Sequence, residues 1–167
     1  MVNISYYDSQ IGKITIASKN EKIIGLWLEG QKYYQQGLDD ETIINDNDIA
    51  IKIAKKWLDD YFLGKAPNIP YDFLAPSGSD FEKNVWKILC TIPYGNTTTY
   101  GDIAKNLEKI YNKKMSAQAV GGAVCHNPIS IIIPCHRVIG KDGNLTGYAG
   151  GIDNKIKLLR LENVDMT

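Results

Sequence analysis

The chain has 167 residues, 44% of them hydrophobic and 23% charged, a balance of folded globular proteins that excludes disordered, fibrous and collagen-like chains. Nineteen basic residues offset nineteen acidic ones, so no overall charge excess marks a nucleic-acid or membrane binder. No apolar run approaches the roughly 18 residues of a membrane helix, and the opening MVNISYYDSQ lacks a signal peptide's basic-then-apolar order, so a cytoplasmic protein with no membrane partner is expected.

Residues 1–28 alternate in the manner of half-buried strands: ISYY, a turn around Asp8 to Gly12, KITIAS, a turn at Lys19 to Glu21, and KIIGLWL. An antiparallel meander is predicted. A polar connection over 29–47 leads to Asp48–Gly64, where Ile49, Ile53, Trp57 and Tyr61 share a stripe beside Ala54, Leu58 and Phe62, the spacing of an amphipathic helix stopped by glycine. The segment APNIPYDFLAPSG has three prolines and little periodicity. It separates an N-terminal mixed α/β domain, 1–75, from a second domain over 79–167. The charge changes there too: residues 1–78 carry 8 basic and 11 acidic residues, and residues 79–167 carry 11 basic and 8 acidic, which makes the second half the better partner for an anion.

In that second half Ser79-Asp-Phe-Glu82 is a capping box that opens a helix to about Thr91, with Phe81, Val85, Ile88 and Leu89 inward and Ile92 after them. After the Pro93-Tyr-Gly95 turn, Thr99 starts a second helix that turns Ile103, Ala104, Leu107 and Ile110 to the core. A third follows Ser116 and ends at Asn127-Pro128. Two helices joined by a short turn, then an ISIII strand and a glycine-rich hairpin, GKDGNLTGYAGG, describe a winged helix-turn-helix. A last helix covers Asp153 to Glu162. The third helix, AQAVGGAV, is poor in helix-stabilising side chains, each glycine costing about 1 kcal/mol against alanine. Its smallness serves either a close approach to a DNA backbone or tight packing between helices.

The chemistry concentrates in IIIPCHRVI, where Cys135 and His136 stand side by side after a proline. An ordinary thiol is only a few per cent thiolate at neutral pH, and a base beside it raises the reactive fraction. In an extended segment the two side chains face opposite ways, so a bridging water or a bend after Pro134 is expected rather than a direct bond. Glu162 is the carboxylate available to orient the imidazole. Cys125-His126 and Cys135-His136 together supply four zinc-type ligands, but adjacent residues seldom bind one ion and no C-x-x-C spacing occurs, so no metal and no cofactor is expected. Cys90, on a helix face with Ile88 and Leu89, reads as an inert core thiol.

IPCHRV, preceded by AVGGAVCHNP and followed by GYAGG, resembles the DNA alkyltransferases that repair guanine alkylated on its exocyclic oxygen, the methylated-DNA–protein-cysteine methyltransferases. The resemblance runs through most of residues 79–162 without gaps. It implies an α+β protein: a small ribonuclease H-like domain, an antiparallel sheet plus helix, followed by a winged helix-turn-helix domain. It implies irreversible transfer of the alkyl group from 6-O-alkylguanine, and from 4-O-alkylthymine, to the protein's own cysteine. Each molecule acts once, as a monomer on double-stranded DNA bound through the minor groove, with the damaged base flipped out.

Carried over by position, Cys135 is the acceptor, His136 the water-mediated base, Glu162 the carboxylate that polarises it, and Asn127 the hinge between recognition helix and active-site strand. Tyr100 is the tyrosine that meets the flipped base. Gln118, Ala119 and Gly121 on the third helix, with Arg137, Val138, Tyr148 and Ala149, complete the residues implied to bind DNA or the base. Two positions depart from the pattern: Gln118 replaces the arginine that often enters the base stack, and Ala149 replaces a serine. Residues 1–78 hold no cysteine or histidine, so the N-terminal zinc site of some relatives cannot form. Two other readings compete. A non-catalytic lesion-binding relative would have lost Cys135, often to tryptophan. A Cys-His acyl-transfer enzyme would need an oxyanion hole and a direct thiol–imidazole bond.

Overall fold

The computed structural model describes residues 1–31, 35, 38, 41–145 and 147–165, so the connection expected over 29–47 lies partly outside the described residues. The described chain divides into two compact units, one of residues 1–77 with 128–130, the other of 78–127 with 131–167.

In the first unit β1 (Val2–Ser9), β2 (Gly12–Lys19) and β3 (Lys22–Leu28) form the predicted meander. The unforeseen β4 (Thr42–Ile44) joins β1 in parallel, giving the order β3-β2-β1-β4. Only three residues long, it offers too little alternation to be read from sequence. β2 also departs from the half-buried pattern: Ile14, Thr15, Ile16, Ala17 and Ser18 are all buried in succession. Both faces of the sheet are covered. Helix α1 (Ile49–Phe62) packs on one, while Val2, Ile4, Ala17 and Trp27 form an apolar cluster with Ile24 and Leu38. Trp27 folds so closely over Gly25 that a Cβ there would lie 2.0 Å from its ring, which is why a glycine interrupts this strand.

Asp48 fixes the helix to the sheet. Its carboxylate caps α1 by accepting from the Ile51 amide and also accepts from Ser18 Oγ at 2.7 Å and Asn3 Nδ2 at 3.2 Å. The buried stripe of α1 is Ala50, Ile51, Ala54, Trp57, Leu58 and Tyr61. Ile49 is exposed instead, and Ile53 and Phe62 are only half-buried, while Ala54, Trp57, Leu58 and Tyr61 of the expected stripe are buried. Along β3, Leu26 donates to the Pro128 carbonyl and accepts from the Ser130 amide. Ile129 therefore forms a single bridge with Leu26 rather than part of the ISIII strand.

In the second unit α2 (Asp80–Leu89) carries the capping box, α3 (Tyr100–Tyr111) starts at Thr99, and α4 (Ala117–Cys125) starts at Ser116. α3 and α4 pack as the helix-turn-helix pair, with α2 against both. Ile110 is exposed, since the helix buries only Ile103, Ala104 and Leu107 before ending on left-handed Asn112. The glycine-rich segment is not a hairpin of strands among the described residues. Gly140 donates to Asn144 in a turn, and Thr146 lies outside the description. The small sheet is instead a parallel bridge of β5 (Thr98–Thr99) with β6 (Val138–Ile139), and α5 (Ile152–Leu161) closes the unit.

Trp86, which the sequence reading passed over, is the central peg of this unit. It is fully buried and its indole N–H donates to the Ala123 carbonyl of α4 at 2.9 Å. The small residues of α4 let so large a ring approach. Trp86→Phe, which keeps most of the volume but leaves a buried carbonyl short of its donor, should lower unfolding stability by about 1–3 kcal/mol. Trp86→Ala should cost about 3–5 kcal/mol, both read from urea midpoints.

Candidate active site around Cys135

Ile131, Ile132 and Ile133 are buried, and Pro134 then turns the chain so that Cys135–Arg137 form one turn of 3-10 helix. The Cys135 amide donates to Ile133 and the Arg137 amide to Pro134. The segment is thus not extended. Successive residues of such a turn step by about a third of a revolution, which lets Cys135, His136 and Arg137 all stay in the interior, at 3%, 0% and 4% exposure.

Glu162, at the C-terminal cap of α5, meets this turn. Its Oε2 lies 2.5 Å from His136 Nε2 and accepts from Arg137 Nη2 at 3.2 Å, while Oε1 accepts from Arg137 Nε at 2.8 Å and from the Gly95 amide at 3.1 Å. Arg137 Nη1 donates to the Ile92 carbonyl. The guanidinium expected to face DNA is therefore buried against a carboxylate. On the other side of the turn Asn127 Nδ2 donates to the Ile133 carbonyl at 2.8 Å, and its side chain is also a hydrogen-bond partner of Cys135.

Burial dominates the electrostatics. It pushes the Cys135 thiol up to about 11, against the Asn127 hydrogen bond and the nearby Lys155 charge. At neutral pH the resting group is a thiol. Burial also opposes ionisation of Glu162, but the bonds and charges of His136 and Arg137 outweigh it and hold that carboxyl at about 2. His136 is pushed below 6.5 by burial, which wins over the pull of Glu162 and is helped by Arg137 and Lys155. A neutral imidazole facing an ionised carboxylate is a proton acceptor. Cys90, expected in the core, is half-buried, and burial pushes its thiol up to about 12.

The sequence matches two families that together span the chain: 6-O-methylguanine DNA methyltransferase, ribonuclease-like domain, over residues 2–70, and 6-O-methylguanine DNA methyltransferase, DNA binding domain, over residues 80–164. It is 45% identical to a methylated-DNA–protein-cysteine methyltransferase of Methanosarcina barkeri, covering 94% of this chain and 96% of that protein. A protein of the same name from Mycolicibacterium paratuberculosis is 40% identical over 97% and 93% of the two chains. The structure resembles the crystal structure of Mycobacterium tuberculosis OGT in complex with DNA, with a TM-score of 0.83 and 39% identity over 96% of this chain and 92% of that one. The chain belongs to the 6-O-methylguanine DNA methyltransferase family.

For a member of this family the remaining expected residues are placed as follows. Tyr100 opens α3 directly after the β5–β6 bridge, which sets it beside the strand that leaves the Cys135 turn. Its hydroxyl lies so near Gly147 that a Cβ there would come within 2.9 Å, and Gly121 of α4 faces its ring. Tyr148 is buried with its ring edge-on to His136 at 6.4 Å. Val138 is buried and Ala149 half-buried. Gln118 and Ala119 are exposed on α4. The sequence reading missed Gly147, the Gly95 amide and Lys155. The positive φ of Gly147 could not be read from sequence, and a lysine in an amphipathic helix ordinarily reads as a solvated residue.

These shifts set a pH dependence of stability. Glu162 ionises more easily folded than unfolded, so its contribution is present above about 4.5 and lost as the pH falls toward 2. His136 resists protonation in the fold, so stability also falls as the pH drops through 6.5. Urea midpoints should decline from pH 7 to pH 4. Arg137→Ala, which strips a buried carboxylate of its cation, should cost about 3–5 kcal/mol at pH 7.

Proposed function

We propose that Cys135 is the alkyl acceptor of a DNA repair methyltransferase that transfers the alkyl group of 6-O-alkylguanine, and of 4-O-alkylthymine, to itself. The observation that carries this reading is a buried thiol at one end of a turn whose next residue is a neutral imidazole held by an ionised carboxylate. The sulfur attacks the alkyl carbon, an S–C bond forms, the C–O bond breaks, and its electron pair remains on the base. With Nε2 engaged by Glu162, the thiol proton passes to Nδ1 of His136 through water. A proton delivered to the departing guanine lets it leave neutral, and we assign that donation to the Tyr100 hydroxyl, which regains its proton from the His136 imidazolium through water. The product is a thioether, a poor leaving group, so each molecule reacts once.

DNA is the partner. We assign its contact to the exposed face of α4, Gln118, Ala119 and Gly122, whose small side chains admit a phosphate backbone in the minor groove and leave Gln118 to fill the stack vacated by the flipped base. Arg137 has no direct part in that contact. It acts through Glu162 instead. A monomer suffices, since every proposed group lies on one chain. A thiol acceptor works only while reduced, which fits the cytoplasm. The lesion-binding alternative, in which no transfer occurs, is disfavoured by the intact Cys135.

Incubation with a duplex carrying 6-O-methylguanine should add one methyl group per chain by intact mass, on Cys135 by peptide mapping. Cys135→Ala should abolish transfer while DNA binding survives, and Cys90→Ser and Cys125→Ser should leave transfer largely intact. A methyl group on Cys90 or Cys125 would contradict the assignment. Gln118→Arg should raise the rate on duplex DNA, where extrusion costs a few kcal/mol, by adding a cation that stacks. On the free alkylated base it should change little. Equal effects on both substrates would assign Gln118 to folding or to the thiol.

A further inference from the structure

Tyr94 stands half-buried in the turn after α2, and nothing in the chemistry above uses it. Its neighbours already hold the buried ion pair: the Ile92 carbonyl accepts from Arg137 Nη1 at 2.7 Å, and the Gly95 amide donates to Glu162 Oε1 at 3.1 Å. Tyr94 adds two contacts of its own. Its ring centre lies 5.8 Å from the Arg137 guanidinium carbon, and its hydroxyl donates at 3.2 Å to the Leu161 carbonyl at the end of α5. Gly95 has left-handed backbone, and a Cβ there would come within 3.2 Å of the Glu162 carbonyl, so this turn lies close against that helix end.

Glu162 has two oxygens to share. Oε1 takes Arg137 Nε at 2.8 Å, while on Oε2 Arg137 Nη2, at 3.2 Å, competes with His136 Nε2. How far the guanidinium reaches toward Oε2 therefore decides how much of the carboxylate's charge is left for the imidazole. A cation against an aromatic face is held by the field of the ring, and more firmly where water is excluded. Arg137 is buried, so the Tyr94 ring acts on it at full strength.

We propose that Tyr94 is a positioning residue of the transfer reaction: its ring fixes the Arg137 guanidinium, and so fixes the share of Glu162 that His136 receives as the base for the Cys135 thiol. This rests on the reading of Cys135 as the acceptor and His136 as its base. The charged groups that face His136 are Glu162 and Lys155 from α5 and Arg137 beside it in the turn, with the Tyr148 ring edge-on. Arg137 in turn faces Glu162, Cys90 and Tyr94. Glu162 favours a protonated imidazole and Arg137 opposes it. With the Tyr94 ring gone, water reaches the guanidinium and its hold weakens, so the pull of Glu162 meets less opposition and His136 takes up a proton more readily. An imidazole already protonated cannot receive the thiol proton. The Tyr94 hydroxyl serves the helix end instead, so ring and hydroxyl have separable parts.

The test follows the ring C–H signals of the chain's two histidines, His126 and His136, by NMR between pH 5 and pH 8 in the native protein, Tyr94→Phe and Tyr94→Leu. Single-turnover transfer from a 6-O-methylguanine duplex, DNA affinity and thermal unfolding are measured in parallel. The His136 midpoint should move to higher pH in Tyr94→Leu and keep its native place in Tyr94→Phe, with His126 unmoved in both. Transfer by Tyr94→Leu should stay within about twofold of the native rate at pH 8 and fall at least about threefold behind it at pH 6, while Tyr94→Phe keeps the native profile. DNA affinity should not change. Both variants should unfold at a lower temperature, since each loses the bond to Leu161. An unmoved or lowered His136 midpoint in Tyr94→Leu, or an equal displacement in both variants, would overturn the proposal and leave Tyr94 a clamp on the end of α5. Should Tyr94→Leu fail to fold, pentafluorophenylalanine at this position decides: it keeps the shape of the ring and reverses its field, so it must raise the midpoint relative to Tyr94→Phe, and no displacement refutes the proposal. The titration is read on the resting protein, so its failure leaves the methyl group on Cys135. Failure of the acceptor assignment removes the methyl group and leaves the titration.

Discussion

The buried carboxylate of Glu162 is the point on which the second unit depends. Carried by the residue at the C-terminal cap of α5, it receives the imidazole of His136 and the guanidinium of Arg137 from the turn beside Cys135, and accepts the Gly95 amide from the loop after α2. Three segments far apart in the chain converge on two oxygens. A buried charge is tolerated only when its lone pairs are filled, so the partners hold one another in place. The same arrangement orients the histidine and fixes which of its nitrogens faces the carboxylate, while burial, against the pull of Glu162, holds the imidazole below its ordinary value.

Around this centre Cys135, the proposed acceptor, is held as a buried thiol. Burial makes ionisation of the thiol unfavourable, and the turn surrounds it with groups that favour the charged form only locally: Asn127 by a hydrogen bond and Lys155 by charge. A thiol that reacts once and irreversibly gains from such reserve, since a freely ionised thiolate would be alkylated or oxidised by other reagents. The close approach of Tyr100 to Gly147 shows how tightly the neighbouring loop is drawn in: any side chain at that glycine would displace the tyrosine hydroxyl.

The small residues of α4 divide between a packed face and an exposed one. Val120, Ala123 and Val124 face inward, and the Ala123 carbonyl receives the Trp86 indole, whereas Gln118, Ala119 and Gly122 are exposed. One face builds the unit and the other is available to a partner. Composition could not separate these roles because the same residue types serve both.

The sequence by itself determined the meander of β1–β3, the helices, among them those that start at Ser79, Thr99 and Ser116, and the family, because strand alternation, capping residues and the IPCHRV segment are local signals. The pairing of His136 with Glu162, 26 residues away, followed from residue types and the family resemblance, and the structure brings the two together. Tertiary structure alone decided what depends on distant partners. Residues 128–130 leave the expected strand because the edge of β3 takes their hydrogen bonds. Arg137 turns inward because a buried carboxylate attracts it more strongly than solvent does. Lys155 is buried, against the ordinary habit of lysine, because the Val138 carbonyl lies within its reach. Each of these outcomes is set by the electrostatic and hydrogen-bonding demands of groups brought together by folding, and no window of neighbouring residues contains them.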